Sequence, residues 1–245
     1  MSEPSPEQLA AETTAAPPTK SGSAKRLLQV VVTYAWFIGS LFIAAGRLVW
    51  IRGWISVVLW VVGTTAMGLI AQHYNPELMA ERAKWRRKDT KPFDKVFMAI
   101  YLPLMLLQPA VAGLDADRFH WSSMPFAFVY VGAAMFVAAV VLISWVMVVN
   151  PYAETSVRIQ NDRGQTVVTS GPYRFVRHPM YVGIILMSLA NPLVWGSVWA
   201  LAMSGVLVLL FIWRTANEDK TLRRELTGYE DFAAHTRYRL LPGVW

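Results

Sequence analysis

Long apolar runs separated by short polar stretches dominate this 245-residue chain. They extend from about Leu27 to Trp50, Gly53 to Gln72, Val96 to Leu114, Met124 to Val149 and Met180 to Trp213. Each approaches or exceeds the roughly 20 residues that carry an α-helix across a bilayer. The pattern predicts an all-α, multi-pass integral membrane protein with no separate soluble domain. The last run is too long for one crossing: as a single helix it would measure about 51 Å, against a hydrocarbon core of about 30 Å. Asn191-Pro192, with Gly196 and Ser197 close behind, offers a natural break. The run therefore reads as a C-terminal helical hairpin with a short first arm, and a single tilted or kinked helix is the alternative. The bundle has five to six transmembrane helices.

Composition agrees with this reading. Hydrophobic residues make up 55% of the chain, too many for an ordinary soluble domain of this size. Residues 1–26 are rich in Ala, Pro, Ser, Thr and Glu and read as a disordered tail. The first apolar run is too long for a signal-peptide core and no cleavage pattern follows it, so it is expected to be retained. Four spans then occupy residues 27–149, interrupted by a basic loop at 75–95, and residues 150–245 form the remaining region.

The net charge of +7 is distributed very unevenly. Three basic residues lie in the N-terminal tail and seven in the loop after the second span. Four more precede the last run and six follow it. If the last run is a hairpin, these 20 residues share one side, leaving only Arg47, Arg52 and Arg118 on the other. The positive-inside rule places the crowded side, with both termini, in the cytoplasm. A single final crossing would move six basic residues outside. Because the basic residues flank apolar runs, they are read as lipid and topology contacts, not as a nucleic-acid surface. The stretch from Arg82 to Lys95 reads as an interfacial amphipathic segment. Asp115 and Asp117 flank an external turn and are expected to be solvated.

The candidate chemistry lies in two polar segments on the crowded side. The first, Gly171 to Tyr181, packs two arginines, a histidine and two tyrosines into eleven residues at the mouth of a membrane helix. Charge there is costly and commonly functional. His178 reads either as a ligand or proton-handling residue or as a helix-start histidine bonded to backbone. Arg174 and Arg177 read as ligand contacts or plain anchors, with anchoring favoured for Arg174. Tyr173 and Tyr181 read as site residues or interfacial aromatics. The second segment, Arg214 to Trp245, carries Glu218, an anchor for a cationic ligand or a solvated partner of Arg214 or Arg223. The last membrane helix is expected to continue through this segment until Gly228-Tyr229. Cysteine is absent, which removes disulfides, thiolate zinc sites and cysteine nucleophiles. The four histidines have no metal-ligand spacing, and no Walker, dinucleotide or nucleophile-elbow motif occurs.

Taken together, Gly171-Pro172-Tyr173, Arg177-His178-Pro179-Met180-Tyr181, Glu218-Asp219, Leu222, Tyr229, Phe232 and the stretch from Arg237 to Pro242 resemble the C-terminal signature of isoprenylcysteine carboxyl methyltransferases. That wider group includes phospholipid N-methyltransferases and prokaryotic relatives. The likeness is strongest over residues 150–245, and the Asn75-Pro76-Glu77-Leu78 loop resembles prokaryotic members. It implies a catalytic region at 150–245 and a cytoplasmic pocket for S-adenosylmethionine, in an inner-membrane protein. His178, Tyr181 and Glu218 match cofactor-lining positions, with Arg177, Tyr229 and Arg237 as further carry-overs; His178, Glu218 and Arg237 are the catalytic candidates. Where the family often has two glutamates, this chain has Glu218-Asp219, which leaves the role of Asp219 open.

The donor implied by the resemblance carries a sulfonium, an ammonium and a carboxylate. Glu218 suits the ammonium, histidine or arginine suits the carboxylate, and aromatic faces suit the sulfonium. The expected acceptor is lipid-like or prenylated, with isoprenylcysteine carboxylate first and a phospholipid or small hydrophobic amine next. Two other readings stand beside it. One is an NADPH-dependent enzyme like the membrane sterol reductases, and the other a non-enzymatic membrane protein with a degenerate site. Neither the acceptor nor the oligomeric state is legible in the residues.

Overall fold

The computed structural model describes residues 20–84 and 89–245. The expected disordered tail, apart from its last residues, and part of the basic loop lie outside the described residues. The chain divides into two units, one ending at Trp36 and the other running from Phe37 to Trp245. Among the described residues there are eight α-helices and no strand. These are α1 (Lys20–Ala45), α2 (Ile51–Tyr74), α3 (Pro76–Arg82), α4 (Pro92–Gly113), α5 (Ala127–Val149), α6 (Pro179–Trp195), α7 (Val198–Glu225) and α8 (Tyr229–His235). Among the described residues five stretches are long and apolar enough to cross a membrane: Leu28–Ala45, α2, α4 with the π-turn that extends it, α5 and α7. The protein is an all-helical, multi-pass membrane protein, as its apolar runs predict.

The last run is a hairpin, and its turn sits beyond the expected break. α6 runs through Pro192 to Trp195, and Gly196 turns the chain with φ of 81°. A proline in a helix leaves the carbonyl four residues earlier without its usual donor. Here that carbonyl belongs to Ser188, and Ser204 of α7 donates its hydroxyl to it at 2.5 Å. The neighbouring arm thus repairs the defect, and the helix continues. Ser197 then caps α7, accepting from the Ala200 amide at 3.0 Å.

Asp115 and Asp117 are not solvated. Both are buried, in the π-turn Leu114–Arg118. Asp115 accepts from the hydroxyls of Ser197 at 2.5 Å and Ser122 at 2.7 Å. Its position beside the start of α7 also suits an anion, because unpaired amides point there. Asp117 is gripped by the fork of Arg47 at 2.7 and 2.5 Å. The two acids therefore staple the far end of the bundle, a role invisible in local sequence.

α5 and α6 approach closely at Gly132 and Gly183. A Cβ at Gly132 would sit 2.7 Å from the Ala190 carbonyl oxygen, and one at Gly183 would meet Ile143 at 2.5 Å. Small residues permit such close backbone approach between membrane helices. A Gly132→Ala protein is therefore expected to lose about 1–3 kcal/mol through overpacking. Gly205→Ala, which meets nothing within 4 Å, should not be destabilised. Thermal unfolding in detergent reads the contrast, and equal midpoints for Gly132→Ala and the parent protein would refute the packing argument.

Candidate active site

The site lies where α5, α6 and α7 end beside the loop joining α5 to α6. Pro179 occupies the first turn of α6, where its missing N–H costs nothing, and places His178 at the N-cap position. The preceding backbone is held from the far side of the hairpin. Arg177 and His178 donate their amides to the carbonyls of Tyr238 and Arg239 at 2.9 and 3.0 Å. α7 ends at Glu225, short of the expected Gly228-Tyr229 boundary. Gly228, with φ of 81°, turns the chain, and Tyr229 opens α8.

Asp219, the residue of open role, is the hub. Its carboxylate takes a fork from Arg177 at 2.7 and 3.1 Å and a bond from Arg239 at 2.9 Å. Arg223 reaches it at 3.3 Å and the Tyr229 hydroxyl at 3.0 Å. His178 Nε2 stands 3.4 Å from the same carboxylate and 3.4 Å from the Tyr229 oxygen. Burial, and next the Asp219 charge, push the Tyr229 phenol well above its ordinary range. Tyr229 is accordingly a donor to Asp219.

Arg177 is committed to the fold. Besides gripping Asp219, it donates from Nη1 to the carbonyls of Thr236 and Arg237 at 2.8 and 2.6 Å. Four of the five N–H donors of a guanidinium are thereby used. The Arg237 side chain does not join the cluster; it is exposed, and only its carbonyl reaches the site.

Glu218 takes a different partner from the two considered in the sequence. Arg214 pairs with the buried Asp94 at 2.8 Å, and Arg223 with Asp219 and Glu230. Glu218 instead accepts the hydroxyl of Tyr181 across the hairpin. Tyr181 is buried, with its ring parallel to that of His178 at 5.7 Å. Arg214 lies over Tyr181 and Phe97, 5.1 and 4.4 Å from their centroids. Of the two interfacial tyrosines, Tyr173 is also buried, and Asn150 donates to its oxygen at 2.5 Å.

Arg177, His178, Tyr181, Glu218 and Tyr229 all line one cavity. It is an open cleft of about 810 Å³, a figure that includes the solvent at its mouth. Leu222, Leu226, Phe232, Val167 and Met180 give it apolar walls, and Asn150, Glu154 and Gln160 add polar ones. The last three come from the first part of the α5–α6 loop, upstream of the predicted Gly171–Tyr181 segment. Asn161-Asp162-Arg163-Gly164 was the available turn signal there. The loop is anchored by Arg158, bound to Glu154 at 2.9 Å, Asp162 at 2.7 Å and Asp89 at 3.1 Å. Asp94 fixes its other edge by accepting the Val157 amide at 2.8 Å.

Residues 127–227 match the family model described as phospholipid methyltransferase. The matched stretch is 101 of the chain's 245 residues. The match bears out the family read from the residues, and it contains His178, Tyr181, Glu218 and Asp219. No curated protein matches the chain. The hairpin brings the two halves of the signature to one cavity. The α8 segment, with Tyr229, lies outside the matched stretch yet completes the wall. Among the described residues no group of three or more potential acidic or histidine ligands is placed to hold a metal.

Proposed function

We propose that the protein transfers the methyl group of S-adenosylmethionine to a hydrophobic acceptor drawn from the bilayer. The observation that carries this reading is the convergence of His178, Tyr181 and Glu218 on one cavity. The residues suit such a donor. Glu218 holds a carboxylate at the cavity wall with one oxygen bonded to Tyr181, which leaves the other for an ammonium. Tyr181, Tyr229 and Phe232 supply aromatic surface, and cations favour such faces. When bound, the donor supplies a methyl group activated by a positive sulfur. The protein's task is then to align acceptor and methyl and keep water out.

His178 lines the cavity, and its Nδ1 has no hydrogen-bond partner among the described residues. For an amine acceptor it is the residue to take the proton released before attack; a carboxylate acceptor needs no such base. Asp219 positions His178, Tyr229 and Arg177. The family description favours a phospholipid amine as the first acceptor to try, ahead of an isoprenylcysteine carboxylate. The site end carries most of the basic residues, so we assign it to the cytoplasmic face.

Membranes containing the protein should pass label from methyl-labelled S-adenosylmethionine into the lipid fraction. His178→Ala membranes should do so at least about 100-fold more slowly, within the range general acid–base groups contribute. Label absent from both lipid and protein fractions would defeat the assignment. Equal rates with and without His178 would remove it from the chemistry.

A further inference from the structure

Among the described residues, one half-buried arginine at the site end has no ion pair, whereas the other unpaired ones, Arg174, Arg224 and Arg237, are exposed. Arg158, Arg163, Arg177, Arg214, Arg223 and Arg239 all pair with carboxylates. Arg82, the half-buried last residue of α3, donates from Nη1 to the Ala153 carbonyl at 2.5 Å. Among the described residues that is its one hydrogen bond; it makes no ion pair, and the Glu154 charge acts on it only from farther off. Two positions further on, the Thr155 carbonyl takes the buried Arg214 at 2.8 Å. The two guanidiniums thus hold the same short stretch of loop, and only one of them is neutralised. Burial first, and then the nearby Arg214 charge, lower the Arg82 guanidinium from its ordinary value. A half-buried cation retained without an anion is expensive unless a ligand supplies one.

Its surroundings say what kind of anion. Ala153 lines the cavity beside Glu218 and Tyr181. It also packs into an apolar cluster built on Ala71, Leu78, Ile143 and Met147. That cluster is buried, and the half-buried Met67, Met79, Met180 and Met187 form its edge, so with Met147 five of the chain's eleven methionines meet there. Methionine is flexible and polarizable and suits apolar surfaces that accept varied shapes. α3 contributes Leu78 and Met79 to the cluster and Arg82 at its end. An unpaired cation therefore stands at the border between an adaptable apolar surface and the cavity.

We propose that Arg82 binds the anionic head group, phosphate or carboxylate, of a membrane amphiphile whose hydrocarbon lies along the methionine cluster. It acts as a positioning and specificity residue, presenting the acceptor to the cavity. This rests on the methyltransferase reading for its purpose, while the binding itself needs no turnover.

The test uses the full chain in an uncharged detergent and four probes: dodecyl phosphate, dodecanoate, uncharged monododecanoylglycerol and inorganic phosphate. At least one of the two charged amphiphiles should bind about tenfold or more tightly than the uncharged one, as a charge-assisted contact provides. Arg82→Gln should erase that margin, Arg82→Lys should keep part of it, and S-adenosylmethionine affinity should be the same in all three proteins. Whichever charged probe shows the margin names the head group. The proposal falls if the parent protein shows no margin, or if the margin survives in Arg82→Gln. It also falls if inorganic phosphate binds as tightly as dodecyl phosphate, which would make this a free-anion site. Should Arg82→Gln not fold, the parent margin and an undiminished Arg82→Lys margin decide against the guanidinium. A margin without any S-adenosylmethionine binding would overturn the cofactor assignment and leave the anion site standing.

Discussion

An Asp219→Asn protein should keep its membrane helices and lose the organisation of its site end. Asparagine preserves the volume and removes the charge on which Arg177, Arg223 and Arg239 converge. Arg177 and Asp219 are both buried, so the substitution leaves a guanidinium in the interior without its counter-ion. Breaking one side of a buried pair costs about 3–5 kcal/mol. The loss falls on the segment from Tyr229 onward, which Arg177 holds through the carbonyls of Thr236 and Arg237. Trypsin should therefore cut after Arg237 and Arg239 far faster than in the parent protein, while helical circular dichroism changes little. Unchanged cleavage would mean that Asp219 is not the organiser.

The neighbouring residue should behave in the opposite way. Glu218 is only half-buried, and its one hydrogen bond among the described residues is to Tyr181. Glu218→Gln keeps an oxygen for that hydroxyl, so thermal stability should stay near the parent value. What disappears is the negative charge at the cavity wall. A hydrogen bond to a charged group contributes about 1.5–3 kcal/mol, so S-adenosylmethionine affinity should fall about 10- to 100-fold. Calorimetry on the two proteins measures it directly. Parent-like affinity in Glu218→Gln would remove the ammonium contact and, with it, the central piece of the proposed pocket. Two adjacent acids on one helix thus separate cleanly, one inward and structural, the other facing the cavity.

That separation could not be read from the chain. Glu218 and Asp219 are consecutive carboxylates, and helical geometry alone turns them about 100° apart without saying which faces in. The spans were legible because hydrocarbon demands long apolar runs. The hairpin was legible because 34 residues overfill the bilayer and because charge placement penalised a single crossing. Its turn was misplaced at Asn191-Pro192 because the repair of Pro192 comes from Ser204, on a helix the local pattern does not see. Asp94 escaped notice for the same reason: its partner Arg214 lies 120 positions away. Asp115 and Asp117 sit in a polar stretch that reads as solvated until Arg47 and Ser197 are brought to them. His178, Tyr181 and Glu218 were identifiable because their motif carries their chemistry locally, whereas the loop residues Glu154 and Gln160 lacked such a mark. Arg82 was grouped with its basic neighbours, and its half-burial without an ion pair shows only in the folded chain.

The pairing of Arg177 and His178 with Tyr238 and Arg239 fixes an order of events. It joins backbone about 60 residues apart, and such a contact repays its loop-closure entropy only after the intervening chain is in place. The intervening chain here is the entire hairpin, so both arms must be inserted before the cavity has a closed wall. The returning segment is also tied to the spans, because Leu240 is buried in one cluster with Phe97, Tyr181 and Phe211. Closing the pocket wall and completing the apolar packing of the hairpin are therefore one event, and it comes late.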